Sequence, residues 1–377
     1  MENALRSLIS AVVLALVVNS AIADDFVGFT AYENGDYTTA YQHLIVSAKQ
    51  GNDEAMYVIG RMYQYGWGVK EDPQQALYWY QKAAEKNNAL AQLSLGFLYD
   101  AGTGVPKDFK IAFSWYLKSA EQGNPIAQRN VGLMYATGDG VPLDEKKSFE
   151  WFTKSAEQGY SKAQVNLAYE YMSGTGTKKN INEAFTWYQK AAEQGDDKGQ
   201  YSLALLYSGE YGIPPNQKEA TYWAEQAALQ GHSKAQLLLA YQYIDGLGTK
   251  KDDAKAAYWF EESAKQENAE AQVQLGQLYL MGQGVDKDYQ KAAFWFTKSA
   301  EQGNPIAQAK IGYLYASGLG VNMDKAKAYA WLKLAADSKN PQAIKDFQRL
   351  KKDITPAELT QGEQELKQLN IRKGEGE

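Results

Sequence analysis

Two helical patterns of apolar and polar residues alternate along most of the chain. In the first, Ala91, Leu95, Leu98 and Tyr99 fall at i, i+4, i+7 and i+8, one face of an α-helix. This is helix A. One of its positions is always small: Gly60, Gly96, Gly132, Ala168, Ala204, Ala240, Gly276 and Gly312. Mid-helix glycine costs about 1 kcal/mol against alanine, so close contact with the neighbouring helix is expected to compensate. A tyrosine follows three residues later in every copy, from Tyr63 and Tyr99 to Tyr315. In the second pattern, helix B, an Ala or Ser such as Ala112 or Ser148 precedes a tryptophan by three residues.

Those tryptophans stand at Trp79, Trp115, Trp151, Trp187, Trp223, Trp259, Trp295 and Trp331, 36 residues apart without exception. A fixed period of this length is the signature of a stacked repeat. Between the helices lies a Gly-x-Gly loop, as in Gly102-Thr103-Gly104, whose first glycine is missing only where Glu210 stands. A β-branched residue follows, and three further on comes Asp72, Asp108, Asp144, Asn180, Asn216, Asp252, Asp288 or Asp324. These read as N-caps of helix B, whose side-chain oxygens accept from free amides of the first turn.

Eight copies, 52–87 through 304–339, give an all-α fold: an α/α right-handed superhelical solenoid of antiparallel pairs, helix A inside and helix B outside. Each helix is short and marginal alone, so a repeat is held mainly by its neighbours. Residues 24–51 read as a degenerate N-terminal pair, with His43 in the tryptophan slot as a packing residue. Residues 340–370 read as capping helices, the last opened by Thr355, and 371–377 as a disordered tail.

Residues 1–23 have the pattern of a secretory signal: Arg6, an apolar run from Leu8 to Val18, then Ala21-Ile22-Ala23 before Asp24. The run is too short to span a bilayer, which points to a soluble periplasmic or secreted chain with no membrane insertion in the mature form. The 377 residues include no cysteine, which excludes disulfides and thiolate metal sites. A net charge of −6 argues against a nucleic-acid partner.

The motif Ala-x-x-x-Leu-Gly-x-x-Tyr, Gly-x-Gly-Val, Asp, Ala-x-x-Trp and Ala-Ala-Glu-x-Gly resembles the Sel-one-like repeat, a relative of the tetratricopeptide repeat. The resemblance covers roughly residues 25–350. It implies a scaffold for protein–protein interaction, used in signalling, envelope biogenesis, quality control and host contact. The disulfide found in each repeat of one branch of that family is impossible here.

No catalytic, cofactor or metal constellation emerges, and an enzyme is not expected. His232 lies in the turn between repeats and reads as a solvated residue. Asp100 with Asp108, and Asp139 with Asp144, lack the ligand spacing of a calcium loop. Glu170 and Asp245 come from different copies, with no sign that they converge.

The candidate site is the set of helix A positions that packing leaves free, on the concave face. The residue after the small one supplies Arg61, Phe97, Leu133, Tyr169, Leu205, Tyr241 and Tyr313. The position four residues earlier supplies Tyr57, Leu93, Arg129, Tyr201 and Leu237. Lys162, Lys198 and Lys234 flank this strip. If one series packs between helices instead, the strip narrows to the other. Trp67, at a loop tip, is a second candidate contact, unless it folds over its own repeat.

The expected function is a monomeric, non-catalytic scaffold for a peptide or protein partner: an envelope protein, a receptor sensor domain, or a host protein in virulence or cell entry. The alternative is a polysaccharide- or cell-wall-binding module, or a non-catalytic subunit of an envelope enzyme. Aromatic rings serve either use, since they anchor peptides and stack on sugars.

Overall fold

The computed structural model describes residues 25–374, so the expected signal segment, 1–23, lies outside the described residues. Among them all regular structure is helical. The chain divides into two compact units, Met1–Trp187 and Tyr188–Glu377, and the division falls within α10 (Ile181–Glu193).

Unit 1 opens with two helices, α1 (25–33) and α2 (Tyr37–Gln50). Its A helices are α3 (Asp53–Tyr65), α5 (Ala89–Ala101), α7 (Pro125–Thr137) and α9 (Ser161–Ser173). Its B helices are α4 (Pro73–Glu85), α6 (Phe109–Glu121) and α8 (Glu145–Glu157). From α2 to α9 each helix packs on the next in chain order. The arrangement is a solenoid of helical hairpins.

Unit 2 repeats the plan. Its A helices are α11 (Asp197–Tyr207), α13 (Ser233–Asp245), α15 (Ala269–Met281) and α17 (Pro305–Ser317). Its B helices are α12 (Gln217–Leu229), α14 (Asp253–Lys265), α16 (Tyr289–Glu301) and α18 (Lys325–Asp337). The caps are α19 (Pro341–Asp353) and α20 (Pro356–Gly374). Thr355 and Glu358 form a capping box at the start of α20, which turns back to pack on α18. The helix runs to Gly374, past the end expected at 370, and 375–377 lie outside the described residues.

The small position of helix A does meet helix B, at the residue after the tryptophan. A Cβ on Gly60, Gly132 or Gly276 would come within 2.7–2.8 Å of the rings of Tyr80, Phe152 or Phe296. In another copy the small position is Ala204 and the residue after the tryptophan is Ala224, both fully buried in one core cluster. Tyr80, Tyr116, Phe152, Phe260 and Phe296 are the innermost rings of their hairpins. Trp79, Trp259 and Trp331 are buried, while Trp115, Trp223 and Trp295 are only partly covered. Each buried ring contributes about 2–3 kcal/mol, so the innermost ring carries as much of the hairpin as the tryptophan beside it.

The loop is closed by backbone bonds. In all eight copies the amide of the cap residue donates to the carbonyl of the helix A tyrosine, as Asp108 does to Tyr99 at 2.9 Å. The cap side chain then accepts from helix B, Asp108 from the Ile111 amide at 3.0 Å. Gly102 ends α5 in the left-handed region at φ 74°. Gly104 lies against the preceding hairpin, where a Cβ would meet Pro73 at 2.7 Å.

A second bond set links successive hairpins. Gln236, buried at the start of α13, donates to the Ala228 carbonyl at 3.2 Å and accepts from Gln266 at 2.8 Å. The same pairs form between Gln92 and Gln122, Gln128 and Gln158, Gln200 and Gln230, and Gln272 and Gln302.

His232 is not a solvated turn residue. Its Nδ1 accepts from the Ala235 amide at 3.1 Å, so it caps α13 where other copies use Asn or Asp. Its ring is half-buried and stacks on Tyr201, centroids 4.7 Å apart. Burial lowers its pKa, with Asp197 opposing. His43 is also half-buried, and its Cβ lies beside Gly28.

Candidate functional site

The two helix A series separate by burial. Phe97, Tyr169 and Tyr313, all directly after the small residue, are 45%, 62% and 47% exposed. They sit on α5, α9 and α17 at one register position. Leu133, Leu205 and Tyr241 of that series are half-buried. Phe97 rests edge-on against Tyr116 at 5.5 Å, and Tyr241 against Phe260 at 5.2 Å. These rings are therefore held from below while their outer faces are open. Tyr241 is further fixed by a 2.8 Å bond from its hydroxyl to Glu270.

The earlier series turns inward. Leu93 is only 6% exposed and joins Tyr116, Ala127 and Val131 in a core cluster of α5, α6 and α7. It is removed from the candidate surface, because the arriving α7 closes over it. Val273 and Ala309 are buried at the same register position. Tyr57, Tyr201 and Leu237 are half-buried. Burial raises the pKa of Tyr57 and of Tyr201. Arg129 is half-buried and donates from Nε to Asn166 at 3.1 Å. Lys162, Lys198 and Lys234 are exposed.

At the start of unit 1 an aromatic cluster forms around Arg61. Trp67 is stacked between Tyr37 and Tyr65, with centroids 5.0 and 4.7 Å away. It thus folds onto its own repeat and the preceding pair. The Arg61 guanidinium lies 5.2 Å from the Trp67 ring centroid and within 6 Å of those of Tyr32 and Tyr65. That contact is a cation–π arrangement.

The acidic residues considered as chemistry have structural roles. Asp100 accepts from the Tyr116 hydroxyl and Asp139 from Thr137. Glu170 is buried against Ser148, and burial, with Glu145 adding to it, pushes its pKa up to about 7. Asp245 ends α13 exposed. Among the described residues no group of three or more His, Asp or Glu could hold a metal ion, and no helix is long and apolar enough to cross a membrane.

Sequence reasoning missed the cavities beside Tyr313. This ring separates one of about 400 Å³, lined by Leu280, Phe296 and Ile306, from another of about 580 Å³, lined by Leu332, Arg349 and Leu350. Nothing in the sequence signals a cavity made where α17 meets a cap. It also missed exposed rings on the B helices: Tyr222, Tyr258 and Phe294, each edge-on to the tryptophan that follows it. Their spacing of one repeat was legible.

Residues 53–88, 89–124, 125–160, 161–196, 197–232, 233–268, 269–304 and 305–340 each match the repeat described as "Sel1 repeat". A solved structure of a protective antigen present in uropathogenic Escherichia coli strains, described as displaying an SLR fold, is 36% identical. That match covers 93% of this chain and 76% of that one, with a TM-score of 0.81. A Sel1 repeat protein from Oxalobacter formigenes is 35% identical over 82% of this chain and 89% of its own, with a TM-score of 0.62. Among curated proteins there is no match.

Proposed function

The chain belongs to the Sel1 repeat family, whose members generally serve as protein-interaction scaffolds, and we propose that it is an exported, non-catalytic scaffold gripping peptide or protein segments on the A-helix face of each unit. The observation that carries this reading is the recurrence of Phe97, Tyr169 and Tyr313 at one register position with their rings open. Packing does not require a large ring there, since Leu133, Leu205 and Gln277 occupy the same position in other copies. Rigid aromatic side chains lose little entropy on contact and dominate interface energies.

The signal pattern of 1–23 supports a periplasmic or secreted location, as does similarity to a protein described as a protective antigen. Replacing Phe97, Tyr169 and Tyr313 together by alanine should abolish partner capture in crosslinking from intact cells, with unchanged circular dichroism. Retained capture would defeat the reading. Fractionation and N-terminal sequencing should place Asp24 first in a periplasmic or extracellular product.

The exposed ring ladder of Tyr222, Tyr258 and Phe294 favours a second reading, stacking on a polysaccharide. Glycan retention that is lost with those three rings and indifferent to Phe97 and Tyr169 would support it over the first.

A further inference from the structure

The capping helix α19 is basic in a chain whose net charge is −6. Lys345, Arg349 and Lys352 fall at i, i+4 and i+7, all exposed, and line a shallow concavity of about 500 Å³ together with Gln348 and Lys351. No carboxylate pairs with any of these cations among the described residues. Lys351 lies 5.7 Å from the Phe347 ring centroid. Because α20 returns to pack on α18, this face of α19 stays open.

The concavity adjoins the cavities beside Tyr313. Arg349 lines both it and the 580 Å³ cavity, while Tyr313 and Asp346 line both that cavity and the 400 Å³ one. Across all three, the lining carries six cations, adding Lys310 and Lys325, against only Asp346 and Asp353. Asp346 is held by the Gln342 amide at 3.0 Å, and the Asp353 carbonyl accepts from Lys325 at 2.7 Å. The far end is apolar, with Leu280, Phe296 and half-exposed Ile306 around Tyr313.

We propose that this end of unit 2 is a docking groove for an acidic peptide segment bearing one bulky apolar residue, which enters the pocket beside Tyr313 while its carboxylates lie along Lys345, Arg349 and Lys352. The proposal rests on the reading that the A-helix face binds peptide, and adds the chemistry of the occupant. Asp346 to Lys352 spans about 9 Å of helix at roughly 1.5 Å per residue. An extended peptide advances roughly 3.3 Å per residue, so carboxylates spread over about three residues would run alongside these cations. Pocket and stripe together supply an anchor and a register, with the charges setting partner choice and on-rate.

The test is selection of short random peptides displayed on phage against the full chain, in parallel with Arg349→Glu/Lys352→Glu, Tyr313→Ala/Ile306→Asp and the charge control Lys178→Glu/Lys179→Glu. Peptides enriched on the wild-type and control chains should carry Phe, Leu or Trp together with two or more Asp or Glu. Their affinity should fall about tenfold with either groove variant and also with added salt. Enriched peptides without acidic bias, or insensitive to both groove variants but lost with Phe97→Ala/Tyr169→Ala, would overturn the groove and leave the general reading standing. Absence of any enriched peptide would overturn both. Retention on phosphatidylglycerol vesicles or a DNA oligonucleotide, lost with Arg349→Glu/Lys352→Glu while no acidic peptide is selected, would also overturn it.

Discussion

The Ser148 hydroxyl donates a 2.7 Å hydrogen bond to Oε1 of Glu170, joining α8 to α9 through positions that are apolar in most other copies. Other copies place Ala76 and Ala112 at the first position and Met62, Leu98 and Met134 at the second. Glu170 is 3% exposed, and its Oε2 has no hydrogen-bond partner. A carboxylate in this setting favours its neutral form, hence a pKa of about 7 against 4.5 in the unfolded chain.

The sign follows from proton counts. Between pH 4.5 and 7 the folded chain keeps a proton that the unfolded chain has lost, so stability falls as pH rises through that window. The shift corresponds to about 3 kcal/mol. Urea denaturation followed at pH 5 and pH 8 should show this loss in the wild type. Glu170→Leu with Ser148→Ala should remove most of it and be the more stable chain at pH 8. Equal pH dependence in the two proteins would refute the assignment.

The glutamine pairs predict coupling between hairpins. Gln236 is 4% exposed, receives the Gln266 amide at 2.8 Å, and donates to the Ala228 carbonyl. Gln236→Ala should cost about 1–2 kcal/mol, because a buried amide loses its bonds and its neighbour loses an acceptor. Gln266→Ala should cost less on that background than alone. A double-mutant cycle by chemical denaturation should give a coupling of about 1 kcal/mol, and a coupling near zero would mean the pair is incidental.

How far the sequence could be read depends on which quantity repeats. The tryptophan period, the Asp and Asn caps and the loop glycines were legible because each is one residue type demanded by local backbone geometry. Contact between Gly132 and helix B was legible too, but its partner, Phe152, was not, since the tryptophan beside it is the more regular residue. The column Asn52, Asn88, Asn124, Asn268 could have identified His232 as a cap. Leu93 could not have been assigned to the core, because its burial depends on how closely the next hairpin arrives. Glu170 could have been placed in the core, since its column reads Met62, Leu98, Met134, Leu206, Leu278 and Leu314 in other copies. The cavities beside Tyr313 exist only because the cap diverges from the repeat.

Three residues stand in the left-handed region where other copies have glycine: Asn87, Glu267 and Lys339, at φ 67°, 62° and 63°. The matching Gly123, Gly159, Gly231 and Gly303 lie at φ 87–92°. A side chain with a Cβ is strained there by about 1 kcal/mol, least for asparagine. Glu267→Gly should therefore stabilise unit 2 by up to about 0.5 kcal/mol, the strain relieved less the greater freedom of its unfolded chain. Thermal denaturation would check it, and a lower midpoint would contradict the strain argument.

The close contact between helix A and helix B makes a sharper prediction. A Cβ at Gly132 would lie 2.7 Å from both Cδ1 and Cε1 of Phe152, a ring only 2% exposed and closed in by its own core cluster. Neither backbone nor ring has room to withdraw, so Gly132→Ala should cost about 1–3 kcal/mol even though alanine is the better helix former. Ala204 faces Ala224 instead, both fully buried. There the reverse change, Ala204→Gly, relieves no clash and should cost about 1 kcal/mol from helix propensity and lost packing. Ala240 shares a core cluster with Phe260 in another copy, so the need for glycine at Gly132 comes from how closely α7 and α8 approach there rather than from the presence of a ring as such. If Gly132→Ala instead raised the denaturation midpoint, the close approach of the two helices could not be what keeps this position small.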